Sequence, residues 1–257
     1  MLNKSLKKKM INYYTKKFRK DGFIKIKNFF TKNEIENAKK KINKIYGLEK
    51  KGTLWSPHFK DIYFLNLICK KKIQQILIPI LNDPYYKLIP KNKPNYILGE
   101  YIGINSSSRL HLHIDSWKPS SSINTWMLQV GILLNDRDKT SGCTTYVKNS
   151  HKSDNYSNRS YKKLSYLEGK ARDLIIWDSR LWHGRSASKN KNIQSWILVA
   201  TFQSWYLKAR FDYTKSIPKK IYAKMSQIEK QIIGLCSIPP KNEKEGFNGK
   251  KGYDVLK

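Results

Sequence analysis

The segment RLHLHIDSW, residues 109–117, alternates with the period of a β-strand, which projects His111, His113 and Asp115 from one face. An imidazole nitrogen and a carboxylate oxygen on one strand face are two of the three donors that hold a divalent first-row metal. A third donor from a distant strand completes a two-histidine, one-carboxylate triad. The histidines are at 58, 111, 113, 151 and 183, and His183, in LIIWDSRLWHGRS (residues 174–186), is the third donor this reading selects. Such a triad occupies one face of an octahedron and leaves three positions open. That suits non-haem Fe(II), which must hold a bidentate co-substrate and then O2. Zinc favours four ligands or a single open position, and Cys69, Cys143 and Cys236 lie in the wrong places to help. Manganese or a vestigial site remains as an alternative. An isolated H-x-D is also a weak signal, since two polar residues on a strand arise by chance.

Outward from this segment, the texture is one of short strands separated by turns, read at 95–104, 109–117, 125–135, 142–148, 172–178 and 194–205. That spacing predicts an antiparallel sandwich or barrel, with a jelly roll as the natural candidate. The preceding residues are mostly helical in pattern. Met10, Ile11, Tyr14 and Phe18 fall at helical spacing, and FIKIKNFF (residues 23–30) opens as a strand in which Ile24 and Ile26 alternate with Lys25 and Lys27. Thr31 and Glu34 have the form of a capping box and open a helix through about Tyr46, closed by Gly47. A second helical region is predicted over 62–78, stopped by Pro79. After Lys215, the residues Ile221, Met225, Ile228 and Ile232 line one helical face, and KNEKEGFNGKKGYDVLK (residues 241–257) reads as a tail over the surface. The expectation is one domain over 1–257, mainly β with flanking helices. It divides into a mostly helical part (1–90), a jelly-roll core (91–210), and a C-terminal helix and tail (211–257).

Composition bounds the partners. Among the 257 residues, 39% hydrophobic and 12% aromatic content supply a core and exclude wholesale disorder. Fifty-one Lys+Arg against 19 Asp+Glu give a net charge of +32. Only eight of those cations are arginines, and the lysines are scattered rather than interleaved with aromatics. They read as solvated surface, so no specific nucleic-acid partner is expected; a basic nucleic-acid- or membrane-associated protein with steeply salt-dependent binding is the rival reading. An odd number of distant cysteines, no apolar core in the N-terminal segment and no run of about 18 apolar residues predict a soluble cytoplasmic protein without a transmembrane segment. Oligomeric state is left open.

Six segments in order add to the metal motif. DGFIKIKNFFTKNEIENAKK, LHIDSW, WMLQVGILLND, SGCTTYVKNSHK, RDLIIWDSRLWHGRS, and WILVATFQSWYLKARFD with the helix after it are together similar to the phytanoyl-CoA dioxygenase family of Fe(II)- and 2-oxoglutarate-dependent oxygenases, over almost the whole chain. The resemblance implies a double-stranded β-helix (jelly-roll, cupin-like) core with His113, Asp115 and His183 as iron ligands. It also implies 2-oxoglutarate and O2 as co-substrates, and hydroxylation of a small organic substrate coupled to release of succinate and CO2. His111 is the rival ligand, in a His-x-His pair of the cupin kind, but no glutamate follows it at the spacing such sites use, which favours His113.

The chain departs from the family at the co-substrate. The family places an arginine about eleven residues beyond the distal histidine, where its fork holds the far carboxylate of 2-oxoglutarate. Here NKNIQSWIL carries Gln194 and Ser195. Arg185, two residues after His183, is expected to supply the cation, with Gln194 as an auxiliary donor. The alternatives are a different 2-oxo acid or a catalytically altered or inactive jelly-roll binding protein. Gln129 is expected to point into the barrel, while Trp117 and Arg109 flank the metal segment as substrate contacts, Arg109 for an anionic group. Ser106–Ser108 and Ser120–Ser122 bracket the segment as loops at its mouth.

Overall fold

Lysines and apolar residues repeat at helical spacing over Lys8–Asp21 (α1), which buries Thr15 and Phe18. Gly22 closes it at φ 78°, its N–H donating to the Phe18 carbonyl. A side chain is excluded there twice over, by the left-handed backbone and because a Cβ would lie 2.5 Å from His151 Nδ1. The chain then passes directly into β1 (Phe23–Ile26). The computed structural model describes residues 6–157, 159, 161–239 and 256. The tail expected over 241–257 therefore lies outside the described residues, Leu256 excepted, which packs against Tyr86 and Ile89.

After β1 come α2 (Lys32–Ile45), β2 (Gly52–Trp55), α3 (Pro57–Lys60), α4 (Ile62–Ile68) and α5 (Lys71–Leu81). The strands β3 (Tyr96–Asn105), β4 (Leu110–His113), β5 (Met127–Leu133), β6 (Thr144–Tyr146), β7 (Ser165–Leu167), β8 (Leu174–Asp178), β9 (His183–Arg185) and β10 (Trp196–Ser204) follow. The described chain closes with α6 (Tyr213–Ser216), α7 (Lys219–Tyr222) and α8 (Gln227–Ile232). The strands form two antiparallel sheets, in the orders β1-β8-β5-β10-β3-β2 and β4-β9-β6-β7.

Period-two alternation sorts the two faces of the larger sheet. Leu128, Val130, Ile132, Leu174, Ile176, Leu198, Ala200 and Phe202 pack with the helices in one core. Leu133, Ile175, Trp177 and Ile197 point the other way and meet Tyr146, Leu167 and Leu181 in a second core shared with the smaller sheet. Because helices cover one whole face, the architecture is mixed helix and sheet rather than mainly β.

Local chemistry explains where the elements break. The Thr31–Glu34 capping box is present in both directions. The helix expected over 62–78 is two helices, since Lys70 is extended at ψ 132° and the Gln74 side chain caps the break by donating to the Ile68 carbonyl at 2.7 Å. Pro79 sits inside the last turn of α5 instead of stopping it, and the helix runs two residues past it. The C-terminal apolar face is likewise split between α7 and α8 by Ser226, which forms its own capping box with Glu229.

His58, on α3, is fully buried against Phe59, Tyr101 and Tyr213, and neither ring nitrogen has a hydrogen-bond partner. Burial pushes its pKa down from 6.5 to about 3. The folded state thus refuses a proton that the unfolded chain accepts. Stability is unaffected above pH 6.5 and falls as the pH drops towards 3, by about 2 kcal/mol at pH 5. His58→Phe is expected to remove this term. Urea unfolding at pH 7 and pH 5 should show the variant losing about 2 kcal/mol less than the parent between the two, and equal losses would refute the assignment.

Candidate metal centre

β4 and β9 are antiparallel neighbours that pair Leu110 with Arg185 and His113 with His183. Their close approach depends on Gly184, where a Cβ would lie 2.5 Å from the Leu110 carbonyl oxygen. Each imidazole is oriented by its own strand. His113 Nδ1 is 2.9 Å from the His111 carbonyl, and His183 Nδ1 is 2.9 Å from the Leu181 carbonyl. A carbonyl only accepts, so each Nδ1 carries the proton and each Nε2 presents a lone pair.

Asp115 lies beyond the end of β4, in a turn whose Asp115 and Ser116 N–H groups both donate to the Ser179 carbonyl, at 2.9 and 3.1 Å. That turn sets the Asp115 carboxylate between the two rings, with Oδ1 3.6 Å from His113 Nε2 and Oδ2 3.4 Å from His183 Nε2. One donor atom from each of the three residues lies within 4.8 Å of the others. His111, the rival, contributes its carbonyl while its own side chain is exposed.

Burial by itself would raise the Asp115 pKa, but the two histidines outweigh it and hold the carboxylate below its ordinary value. Burial lowers His183 despite the nearby carboxylate. At His113 burial acts in the same direction, yet contact with Asp115 prevails and raises it. The Trp177 indole N–H adds to the stabilisation of the Asp115 charge, although it makes no hydrogen bond of good geometry. A charged carboxylate beside a neutral His183 is the protonation state that a metal requires.

Across the floor, Trp177, Gln129, Thr201 and Glu100 stand in register on β8, β5, β10 and β3. Gln129 is buried, accepting from Thr201 Oγ1 at 2.7 Å and donating to Ser179 Oγ at 3.3 Å. Arg185 also faces neutral acceptors, its Nε donating to the Ser108 carbonyl at 2.7 Å and Nη2 to Ser106 Oγ at 2.9 Å. Gln194 is not brought to the centre, because its amide donates to Glu49 at the surface. Ser195 is buried, with its hydroxyl on the Ser141 carbonyl at 3.0 Å. Arg109 is exposed, and Trp117 is 82% exposed with a left-handed φ of 62°.

Sequence reasoning missed the wall formed by Glu100 and Arg210, an ion pair at 3.1 Å whose guanidinium lies over Trp55, 5.1 Å from the ring centroid. Burial raises the Glu100 pKa; Arg210 opposes this and the Asp115 charge adds to it. No motif marks these residues, since β3, which carries Glu100, β2, which carries Trp55, and the loop after β10 meet only in the fold.

Two histidine nitrogens and one carboxylate converge between neighbouring strands, an arrangement that could hold one metal ion in the manner of a facial triad. The chain matches the phytanoyl-CoA dioxygenase family over residues 18–194, and it belongs to that family. It is 23% identical over 135 residues to the dioxygenase af480 of Aspergillus fumigatus, a stretch covering 51% of this chain and 44% of that protein, so it spans less than half the length of that relative. Among solved structures it is similar to HygX from Streptomyces hygroscopicus with nickel and 2-oxoglutarate bound, at a TM-score of 0.63 and 14% identity, over 80% of this chain and 90% of HygX. It is also similar to the non-haem α-ketoglutarate-dependent epimerase SnoN from nogalamycin biosynthesis, at a TM-score of 0.61 and 12% identity, over 83% of this chain and 91% of SnoN. At these identities the likeness is one of fold. Among the described residues no helix is long and apolar enough to cross a membrane.

Proposed function

We propose that this chain is an Fe(II)- and 2-oxoglutarate-dependent oxygenase that hydroxylates a small organic molecule, with His113, Asp115 and His183 as its iron ligands. The phytanoyl-CoA dioxygenase family depends on iron(II) and 2-oxoglutarate, which supports the class. The observation that carries the ligand assignment is the position of the two Nε2 atoms, 3.6 and 3.4 Å from the two oxygens of one carboxylate, with both Nδ1 atoms committed to carbonyls. This donor set fits iron: two neutral nitrogens and one hard oxygen, with room for a chelating co-substrate. The facing antiparallel sheets are read as a double-stranded β-helix, or jelly roll, and residues 1–257 as one domain.

Bound iron and 2-oxoglutarate supply the oxidising chemistry; the chain supplies ligation, orientation and a dry pocket. Arg185, two residues beyond His183, takes the far carboxylate of 2-oxoglutarate, since its donors now rest on neutral serine acceptors that a carboxylate outcompetes. Gln129, fixed by Thr201 and Ser179, and buried Ser195 are the further co-substrate contacts in this reading. The substrate enters past Trp117 and Arg109, and an anionic substituent meets the Arg210 guanidinium over Trp55.

Anaerobic titration of the Fe(II)-loaded protein with 2-oxoglutarate tests this reading. A visible charge-transfer band is expected, followed by succinate formation when O2 is admitted, and a product heavier by one oxygen identifies hydroxylation. A protein that binds iron but gives no band with millimolar 2-oxoglutarate is not this enzyme.

A further inference from the structure

The neighbourhood in which the family carries its arginine holds here Gln194, turned outward to Glu49, and buried Ser195, whose N–H donates to Asn105 Oδ1 at 3.0 Å and whose hydroxyl donates to the Ser141 carbonyl at 3.0 Å. The next carbonyl along, that of Gly142, accepts from Arg137 Nε at 3.1 Å and Nη2 at 2.5 Å. Arg137 belongs to the loop leaving β5 and is pinned by reciprocal backbone hydrogen bonds with Gly169, at 2.8 and 2.9 Å. It is only 5% exposed. Gly142 also borders Arg185, for a Cβ built on it would lie 3.8 Å from Arg185 Cδ and 3.7 Å from the Ser106 carbonyl oxygen. Two arginine side chains thus meet at one turn, Arg185 from β9 through its stem and Arg137 from the loop after β5 through its guanidinium. Among the described residues neither makes an ion pair with an acidic side chain.

An enclosed guanidinium held only by neutral acceptors is costly, and a second one beside it adds repulsion. Burial, and then the charge of Arg185, bring Arg137 down from its ordinary 12.5 to about 10, so it stays protonated at neutral pH. The missing partner of two such cations is an anion. Resting on the oxygenase reading above, we propose that Arg137 and Arg185 together form the subsite for the far carboxylate of a dicarboxylate co-substrate. Arg137 thereby supplies, from a different strand connection, the guanidinium that Ser195 lacks. The exchange is mutually consistent: an arginine at 195 would put a third cation on the same turn, and serine there leaves the place to Arg137.

The test combines Arg137→Met, Arg137→Lys and the relocation variant Arg137→Met/Ser195→Arg. Metal-free protein is melted with glutarate, which has the far carboxylate but no chelating keto acid, and Fe(II)-loaded protein is titrated anaerobically with 2-oxoglutarate. Arg137→Met should melt higher than the parent without ligand, because an uncompensated buried charge is gone, and should lose the glutarate-induced rise. Its 2-oxoglutarate Kd should increase by about tenfold to a hundredfold at unchanged iron affinity, as for loss of hydrogen bonds to a charged group. The relocation variant should recover most of that affinity, which a purely structural arginine does not explain. Arg137→Lys, which keeps the charge, should fall in between and serves if the methionine variant does not fold. Binding of 2-oxoglutarate within threefold of the parent in folded Arg137→Met or Arg137→Lys overturns the subsite while leaving the oxygenase reading intact. An Arg137-dependent glutarate shift without any charge-transfer band in the parent upholds the subsite and overturns the oxygenase reading instead.

Discussion

Asp115→Ala is expected to lower iron affinity by more than about a hundredfold and to reduce turnover to background. Partners that merely orient a metal ligand are worth about 10- to 100-fold in affinity, so the ligand itself should exceed that. Asp115 is also the sole acid in the constellation, and its two oxygens face the two imidazoles separately, at 3.6 and 3.4 Å. Without it, two neutral nitrogens remain to hold a dication. The fold should survive, because what anchors this turn is the backbone N–H of residue 115 on the Ser179 carbonyl, which alanine keeps. Far-UV circular dichroism and an unfolding midpoint close to the parent's would establish that, and iron binding by calorimetry would then report the centre alone. A folded variant that retains the 2-oxoglutarate charge-transfer band at parental iron affinity would remove Asp115 from the ligand set.

What the sequence makes legible is set by how local the determinant is. The Thr31–Glu34 capping box is written in neighbouring residues and appears as the sequence predicts, and the segments 125–135, 172–178 and 194–205 contain β5, β8 and β10. The cluster of His113, Asp115 and His183 is legible for a different reason: few histidines and one H-x-D leave little choice. Two strands have no counterpart in the sequence reading, β2 and β7, whereas β9 is the short strand that carries His183. With three or four residues each, they owe their conformation to the partner strand rather than to a pattern of their own. Asp115 was expected on the strand with His113; it sits in the following turn, because Ser179 claims its N–H. Gln194 was assigned by its distance from His183, yet the chain turns it outward to Glu49, and Arg137 stayed invisible because its relation to Ser195 exists only across the loop at Ser141 and Gly142. The net charge of +32 is no guide to this part of the fold, because scattered lysines carry most of it and the buried arginines Arg137 and Arg180 only a little.

Another of those arginines carries the second large effect. Asp178 and Arg180 flank Ser179, and their side chains form a bidentate pair, Nε to Oδ1 at 2.9 Å and Nη2 to Oδ2 at 2.7 Å, with side chains only 1% and 4% exposed. Thr125 Oγ1 donates to Asp178 Oδ2 at 2.8 Å, Arg180 Nη1 donates to the Ser122 carbonyl, and the guanidinium lies over Trp126 at 5.0 Å. The pair therefore ties the loop before β5 to the turn whose Ser179 carbonyl holds Asp115. Asp178→Asn leaves the Arg180 charge buried without a counter-charge, and it is expected to cost about 3–5 kcal/mol in urea unfolding, the range for breaking a buried pair from one side. Arg180→Met strands the carboxylate and should cost a similar amount. Removing both charges, in Asp178→Asn/Arg180→Met, should be less damaging than either single change, since neither ion is then left unpaired. If the double variant instead equals the sum of the singles, the two side chains are not coupled and the argument fails. Iron affinity should follow the same order, falling in each single variant and partly returning in the double one, because the turn that loosens is the one that aims Asp115.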